Sequence, residues 1–315
     1  MWGQDSDYSD LMRELWGSPE RWNVRKTYTD VASKLGIDEE TVRNRLKRLR
    51  ESGFLLGWRV IPNQTLFGRE PMFLYLELGN VAEADKAVEL LKRYDGVHTI
   101  ARLFGNLLLV AIYDDASHAS SGRIAGLGMG RIRMLAPGMQ VPQTSYAMAS
   151  LDWRILNRIL RDAEMHLSSV AASVGVSKRT VKNRLNRMMD ASAIFVTPMT
   201  DVRRAVGVQY QLIVDCDEGS SPEVSRIVSS KIGRVIFRAS DSGSGLIFGF
   251  NGRNVSEGSD LERWLEQQPH ILSARINMVE SVVYAFDWLE RETERCGAER
   301  DWSAYRKRAG SSSSP

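Results

Sequence analysis

Apolar residues in one segment of the chain recur at the spacing of an α-helix. Within residues 31–55, Val42, Leu46 and Leu49 follow the spacing i, i+4, i+7, which places them on one face of a helix. A shorter apolar group precedes Gly36, and glycine readily adopts the left-handed conformation that ends a helix. The pattern predicts two short helices joined by a tight turn.

The same pattern returns 139 residues later without a gap. In residues 170–194, Gly175 occupies the turn, and Val181, Leu185 and Met188 form the apolar face of the second helix. Nine of the 25 aligned pairs are identical, namely Val31/Val170, Ala32/Ala171, Gly36/Gly175, Thr41/Thr180, Val42/Val181, Asn44/Asn183, Arg45/Arg184, Leu46/Leu185 and Arg48/Arg187. A repeat with this long period predicts two copies of one structural unit, and the unit has the layout of a helix-turn-helix.

The outward face of the second helix is basic in both copies. Asp38 and Ser177 are expected to cap these helices. A helix-turn-helix places such a helix in the major groove, where side chains reach base edges and phosphates. A solvated basic face would have the same composition, but its occurrence at equivalent places in both copies favours double-stranded DNA as the partner. The predicted DNA-binding residues are Glu40, Thr41, Arg43, Asn44, Arg45, Lys47, Arg48, Lys178, Arg179, Thr180, Lys182, Asn183, Arg184 and Arg187.

Strand and helix patterns in the order βαββαβ follow each helix-turn-helix, which is typical of a ferredoxin-like domain. In the first copy the predicted elements are 72–78, 82–94, 97–104, 107–113, 116–125 and 131–136. In the second copy they are 208–214, 223–232, 234–239, 246–250, 255–267 and 271–278. Gly105 and Asn106 predict a tight hairpin turn between two strands of the first copy.

Two segments resemble the winged helix-turn-helix of the Lrp/AsnC transcription regulators. Residues 29–68, TDVASKLGIDEETVRNRLKRLRESGFLLGWRVIPNQTLFG, are similar to that domain, and residues 167–207 look like a divergent second copy. The turn glycine, the Thr-Val-x-Asn-Arg-Leu core and the strand after the helix carry the resemblance. Asp152 lies at a position where members of this family often have an aspartate at the start of their first helix. The resemblance covers most of residues 10–285, although a usual family member has one copy and dimerises.

The patterns together predict an α+β fold in which two winged helix-turn-helix domains alternate with two ferredoxin-like βαββαβ domains as an internal duplication. In the Lrp/AsnC family the ferredoxin-like domain binds the effector and forms the dimer, so the resemblance implies a covalent pseudo-dimer, with higher homo-oligomers possible. Residues 141–150 are expected to link the halves. The predicted segments are 1–62, 63–142, 143–200, 201–287 and a charged helical or disordered tail at 288–315.

The resemblance also implies an effector site in the hairpins of the ferredoxin-like domains. In the family, a Gly and an Asp in this hairpin help to form an amino-acid pocket. The corresponding residues are Gly105 and Asn106 in the first copy and Asp241 in the second. Because Asn106 replaces the acidic residue and Asp241 lies in a looser Gly/Ser loop, an amino acid, another small molecule, or plain surface turns all stay open.

The composition argues against a membrane protein, a disulfide-rich protein and a metal-binding protein. The net charge is only +3 over 315 residues, so basicity is local, and no apolar run is long enough for a transmembrane helix. The N-terminal residues lack an apolar signal core, so we expect a cytoplasmic protein with no membrane partner. Two cysteines exclude a disulfide framework, and four scattered histidines give no metal-ligand spacing. We therefore expect no cofactor, no metal and no catalytic residues.

Two other functions are compatible with this architecture. Siroheme decarboxylases use the same combination of helix-turn-helix and ferredoxin-like domains for tetrapyrrole chemistry, and fold alone does not separate the two functions. Basic recognition helices argue against a siroheme decarboxylase. His98 and Arg102 are only weakly similar to the strand that we would expect at a tetrapyrrole site. The third reading is a protein-interaction scaffold with a vestigial second helix-turn-helix.

Overall fold

The computed structural model describes residues 11, 28–115, 117–137, 142–205, 207–232, 235–240 and 245–298. In chain order the elements are α1 (Tyr28–Leu35), α2 (Glu39–Glu51), β1 (Leu55–Pro62), β2 (Glu70–Leu78), α3 (Val81–Leu91), β3 (Val97–Leu103), β4 (Leu107–Asp114), α4 (Ala119–Gly126), β5 (Gly130–Pro137), α5 (Ser150–Ile159), α6 (Leu167–Val174), α7 (Lys178–Asp190), β6 (Ile194–Thr200), β7 (Val208–Cys216), α8 (Ser221–Ile232), β8 (Val235–Ser240), β9 (Gly245–Gly252), α9 (Val255–Leu265), β10 (Ile271–Tyr284) and α10 (Asp287–Ala298). The predicted α+β fold is confirmed. We call α2 and α7 the first and second recognition helices.

Local hydrogen bonds fix the start of both recognition helices. Gly36 has a φ of +65°, so the chain turns in the left-handed conformation that glycine tolerates. The backbone N–H of Thr41 donates to Asp38 at 2.6 Å, and that of Thr180 donates to the Ser177 hydroxyl at 3.1 Å. These caps satisfy amide groups that the first helical turn leaves free, as predicted.

The two helix-turn-helix units share one hydrophobic core. Val42 of the first recognition helix and Val181 of the second belong to the same buried cluster, together with Trp58 of β1 and Trp153 of α5. Burial of a valine contributes about 1.5–3 kcal/mol, so separation of the two units would expose costly apolar surface. The two units therefore form one packed body.

Strands β1 and β6 pair antiparallel and join the two helix-turn-helix units. Trp58 pairs with Pro198, and Arg59 pairs with Thr197. The 139-residue offset makes Thr197 the counterpart of Trp58 and Pro198 the counterpart of Arg59. Each strand therefore meets its own counterpart about a local two-fold axis, as identical subunits do in a symmetric dimer. The sequence patterns did not predict this pairing.

The two ferredoxin-like sheets continue into one another. Their strand orders are β5-β2-β4-β3 and β10-β7-β9-β8, and β3 pairs with β10 to give one sheet of eight strands. Strand β10 ends at Tyr284, well beyond the predicted end at Met278. It is longer because its first part pairs with β7 and its last part pairs with β3.

The faces of the two sheets that carry no helices meet in a shared core. Tyr75 and Leu109 of the first sheet lie in the same cluster as Ile213 and Ile247 of the second, and all four are nearly fully buried. The helix-covered faces form separate cores, one for each half. The two sheets of one chain therefore bury their open faces together.

Helix α10 packs against α5 and does not project into solvent. Trp288, Leu289 and Cys296 are buried on its inner face. Arg161, which follows α5, donates to Glu290 at 2.8 Å. The first part of the predicted charged tail is therefore helical and buried on one face. The remainder of the predicted tail, residues 299–315, lies outside the described residues.

We expect the smallest folded species in solution to be a single chain of 35.5 kDa. In a symmetric dimer, each subunit would contribute one helix-turn-helix and one ferredoxin-like domain. This chain contains both pairs of domains and packs them against each other, so it needs no partner subunit. Light scattering at low protein concentration measures this mass. If dilution yields two chains as the smallest folded species, the internal pairing is not sufficient; larger assemblies of a stable monomer are compatible with it.

Candidate nucleic-acid interface

The second recognition helix presents a set of unneutralised cations. Lys178, Arg179, Lys182 and Arg187 are exposed, and none forms an ion pair within 4 Å with any described residue. Asn183 is exposed on the same helix. Lys178, Arg179 and Lys182 stand in its first half, which is the part of a recognition helix that approaches base edges. These four cations are therefore available to phosphates and bases.

The first recognition helix holds its cations differently. Arg43 Nε donates to Glu39 at 3.2 Å, and the guanidinium lies 4.9 Å from the centre of the Tyr28 ring. The Thr29 hydroxyl donates to the other oxygen of Glu39 at 2.8 Å. These contacts, with the hydrogen bond from Arg43 as the largest, lower the pKa of Glu39. Both carboxylate oxygens of Glu39 thus accept hydrogen bonds within the protein. Glu40 is exposed and is therefore the acidic candidate for a base contact.

The two recognition helices differ in net charge. The first contains five basic and three acidic residues and has a net charge of +2. The second contains five basic residues and one acidic residue and has a net charge of +4. Lys47 also lies 3.7 Å from Glu51, so a further cation of the first helix is partly compensated. Phosphate attraction is therefore stronger at the second helix.

Several predicted contact residues are already used within the helix-turn-helix units. Arg184 Nη1 lies 3.4 Å from the carboxylate of fully buried Asp152. The Thr41 hydroxyl donates to Asp38 at 2.7 Å, and the hydroxyls of Thr180 and Ser177 are 2.9 Å apart. DNA contact by these residues, and by the partly buried Arg45, stays a prediction. The exposed candidates are Glu40, Arg43, Asn44, Lys47, Arg48, Lys178, Arg179, Lys182, Asn183 and Arg187.

The predicted effector residues lie at a surface hairpin, to the extent that the structure describes them. Gly105 is exposed with a φ of +92°. The Asn106 side-chain amide donates to the carbonyl of Leu78, and the Leu78 N–H donates to the Asn106 carbonyl at 2.9 Å. Asn106 thus ties the hairpin to β2. Asp241 lies outside the described residues.

A buried arginine, which the sequence analysis did not single out, lies where the helix-turn-helix body meets the ferredoxin-like sheet. Arg59 of β1 is 4% exposed, and its guanidinium donates to the His98 carbonyl at 2.9 Å and the Thr99 hydroxyl at 2.6 Å. It stacks on Tyr284, with 4.5 Å between the guanidinium carbon and the ring centre. Burial lowers the pKa of Arg59 to about 10. A single arginine within the apolar run of β1 is the only sequence signal for this position.

The side chains around Arg59 are held by the same junction. The His98 ring lies 4.7 Å from the Tyr113 ring, and the Tyr113 hydroxyl donates to the Pro62 carbonyl at 3.0 Å. Burial, with a smaller effect of the Arg59 charge, lowers the pKa of His98 to about 3. Burial also raises the pKa of Tyr113. Arg59, His98 and Tyr113 therefore connect the helix-turn-helix body to the ferredoxin-like sheet.

Two classes of site are not found in the part of the chain that the structure describes. None of its helices combines the length and the apolar character needed to cross a membrane. None of its groups of histidine, cysteine, aspartate and glutamate side chains has three or more members placed to hold a metal ion.

Two family models match the chain at its helix-turn-helix units. A winged helix-turn-helix DNA-binding model matches residues 21–55, and an AsnC-type helix-turn-helix model matches residues 148–189. The HTH-type transcriptional regulator Ptr1 of Methanocaldococcus jannaschii is 34% identical over 82 residues, which are 26% of this chain and 53% of that protein. The match thus spans about half the length of this relative. These findings confirm the resemblance to Lrp/AsnC regulators.

Among solved structures, the chain is similar to the siroheme decarboxylase NirDL. In its complex with an iron-uroporphyrin III analogue, that protein is 12% identical, has a TM-score of 0.57, and is matched over 92% of this chain and 98% of its own. NirDL in a second crystal structure gives a TM-score of 0.55. At this level of identity the likeness shows a shared fold and assigns no activity.

We expect the second recognition helix to contribute more to salt-dependent DNA binding than the first. Replacement of Lys178, Arg179 and Lys182 by alanine should lower the slope of log K against log salt by about three units, because each lost phosphate contact lowers it by about one. The matched triple replacement of Arg43, Lys47 and Arg48 should lower it by only about one unit, because Glu39 and Glu51 already compensate two of those charges. Fluorescence anisotropy over a range of salt concentrations measures both slopes, and equal losses would contradict the asymmetry.

We expect His98→Gln to reduce the acid sensitivity of folding. Between pH 6.5 and pH 3 the unfolded chain binds a proton that the folded His98 rejects, so stability falls as the pH falls through this window. By pH 5 this cost is about 2 kcal/mol, and the variant should not show it. Urea unfolding at pH 7 and pH 5 measures the difference, with His166→Gln, an exposed histidine, as the control. The prediction fails if His98→Gln and the control lose stability equally.

Proposed function

We propose that this chain, a relative of the Lrp/AsnC regulators in both of its helix-turn-helix units, is a sequence-specific DNA-binding transcription regulator that acts in the cytoplasm as a covalent pseudo-dimer. The observation that carries the proposal is the pair of exposed basic recognition helices on one packed body. Strands β1 and β6 fix their relative placement about a local two-fold axis. A usual family member needs two subunits to present two such helices.

The unpaired cations of the second recognition helix support DNA as the partner. Lys178, Arg179 and Lys182 cluster in its first turns without a compensating ion pair among the described residues. Such a cluster repels itself in the free protein, and a polyanion relieves that repulsion. A bidentate contact from arginine or lysine to guanine would add base discrimination of about 1–3 kcal/mol.

A second candidate function follows from the fold shared with NirDL over nearly the whole chain. The surroundings of two residues argue against a siroheme decarboxylase activity. The His98 ring is packed against Tyr113, and burial lowers its pKa to about 3, so the side chain is uncharged at neutral pH and offers no imidazolium as a general acid. Arg102 is held by Asp85 and by Glu280, whose oxygen lies 2.9 Å from its Nε. We therefore favour a regulator without catalytic residues.

An optical titration separates the two functions. The purified chain is mixed with siroheme, and the tetrapyrrole absorbance is followed alongside a gel shift on genomic DNA fragments. The regulator proposal expects DNA binding and no saturable change in the siroheme spectrum. A stoichiometric spectral change together with no DNA binding would support the decarboxylase reading instead.

A small-molecule effector and further assembly belong to the same proposal. The hairpin that holds Gly105 and Asn106 is the place where family members bind an effector. Asn106 offers an amide in place of the carboxylate that an amino-acid ligand would meet, so we do not favour an amino acid. Assemblies larger than the pseudo-dimer, if they form, would be homo-oligomers of it.

We expect the operator to have two different halves. The first recognition helix begins with Glu39 and Glu40, whereas the second begins with Lys178 and Arg179. Glutamate accepts from cytosine, and arginine or lysine donates to guanine. Random-site selection with the full chain should therefore yield a site without perfect inverted symmetry. Two identical inverted halves would rule this out.

An exchange of residues 38–40 with 177–179 provides the matched control. Asp38 and Ser177 both act as helix caps, so the exchange preserves a cap at each helix. The two half-sites should trade places in the selected sequence. If the selected sequence is unchanged, the acidic start of the first helix only stabilises the helix terminus and reads no base.

A further inference from the structure

The first recognition helix ends beside residues that come from the other half of the chain. The N–H of Asp201, just after β6, donates to the Phe54 carbonyl at 2.8 Å. A β-carbon on Gly53 would lie 3.8 Å from Cγ of Arg204. The short 3-10 helix Val202–Arg204 therefore begins beside the turn that follows the first recognition helix.

Arg204 is an exposed cation at this contact. It forms no ion pair within 4 Å with any residue that the structure describes. Its neighbour Arg203 is different, because Asp201 accepts from Arg203 Nε and Nη2, each at 2.8 Å. Two adjacent arginines of equal formal charge thus differ in whether their charge is already compensated.

The first recognition helix is short of free positive charge of its own. Three of its basic residues are held by carboxylates in the pairs Arg43–Glu39, Lys47–Glu51 and Arg50–Glu164. Arg48 is exposed and has no such pair among the described residues. An additional cation at the end of this helix would therefore change its attraction for phosphate substantially.

The reciprocal contact lacks this cation. The N–H of Asn63 donates to the Ala193 carbonyl at 2.8 Å, so the first half also reaches the end of the second recognition helix. With Asn63 in the place of Asp201, the residue in the place of Arg204 is Leu66, which is uncharged and buried. The second half supplies a cation across the two-fold axis, and the first half supplies none in return.

We propose that Arg204 is a phosphate contact of the first helix-turn-helix that is supplied by the second half of the chain. The C-terminal end of a recognition helix can contact the DNA backbone, and the guanidinium group suits phosphate geometry. This inference rests on the proposed DNA-binding function. It adds that one half of the operator is held by residues from both halves of the chain.

The test compares Arg204→Gln with Arg203→Gln, since both remove one positive charge from adjacent exposed positions. Arg204→Gln should lower the salt slope of binding to the selected operator by about one unit and the affinity about tenfold. Arg204→Lys, which keeps the charge, should restore the slope. Arg203→Gln should leave the slope close to that of the wild type. Melting temperatures confirm that the variants fold alike.

Ethylation interference then locates the contact. The half-site bound by the first recognition helix is identified as the one whose footprint weakens in the Arg48→Ala variant. Ethylation of one phosphate beside that half-site should interfere with binding of the wild type and of Arg203→Gln, but not with binding of Arg204→Gln. Equal effects of the two substitutions, or none in Arg204→Gln, would overturn the inference while the wild type still binds. A wild-type chain that binds no DNA would overturn the proposed function as well, so the two failures are distinct.

Discussion

The antiparallel pairing of β1 with β6 is the constraint on which the rest of the structure depends. It brings two helix-turn-helix units onto one hydrophobic core and relates them by a local two-fold axis. A shift of one residue in this register would turn Trp58 out of the core, so the placement of both recognition helices is fixed along with the strands. The same crossing carries the end of each strand to the opposite recognition helix, where Asp201 and Asn63 make their backbone contacts.

The two halves of this nearly symmetric arrangement differ in charge. The first recognition helix keeps much of its positive charge in ion pairs, whereas on the second helix Lys178, Arg179, Lys182 and Arg187 form none with the described residues. The two strands at the axis also differ, because Arg59 of β1 corresponds to Pro198 of β6. Buried Arg59 anchors β1 to His98 and Thr99, which connects the helix-turn-helix body to the ferredoxin-like sheet.

Features encoded by neighbouring residues could be predicted from the sequence. The caps at Asp38 and Ser177, the turn at Gly36 and the hairpin at Gly105 depend on interactions within a few residues, so their patterns are visible in the chain. The pairing of β1 with β6, the extension of β10 to Tyr284 and the ion pairs of Arg184 and Arg50 depend on partners far away in sequence, which no local pattern specifies. The burial of Trp288 on α10 likewise depends on packing against the distant helix α5, which no local pattern specifies.

The central claim is that one chain presents two recognition helices to one DNA duplex. Native mass spectrometry of the complex with a selected operator, combined with hydroxyl-radical footprinting of the same sample, tests it most directly. The account predicts one chain per duplex and two protected half-sites on one face of the DNA. Two chains for two half-sites, or one chain that protects a single half-site, would contradict it.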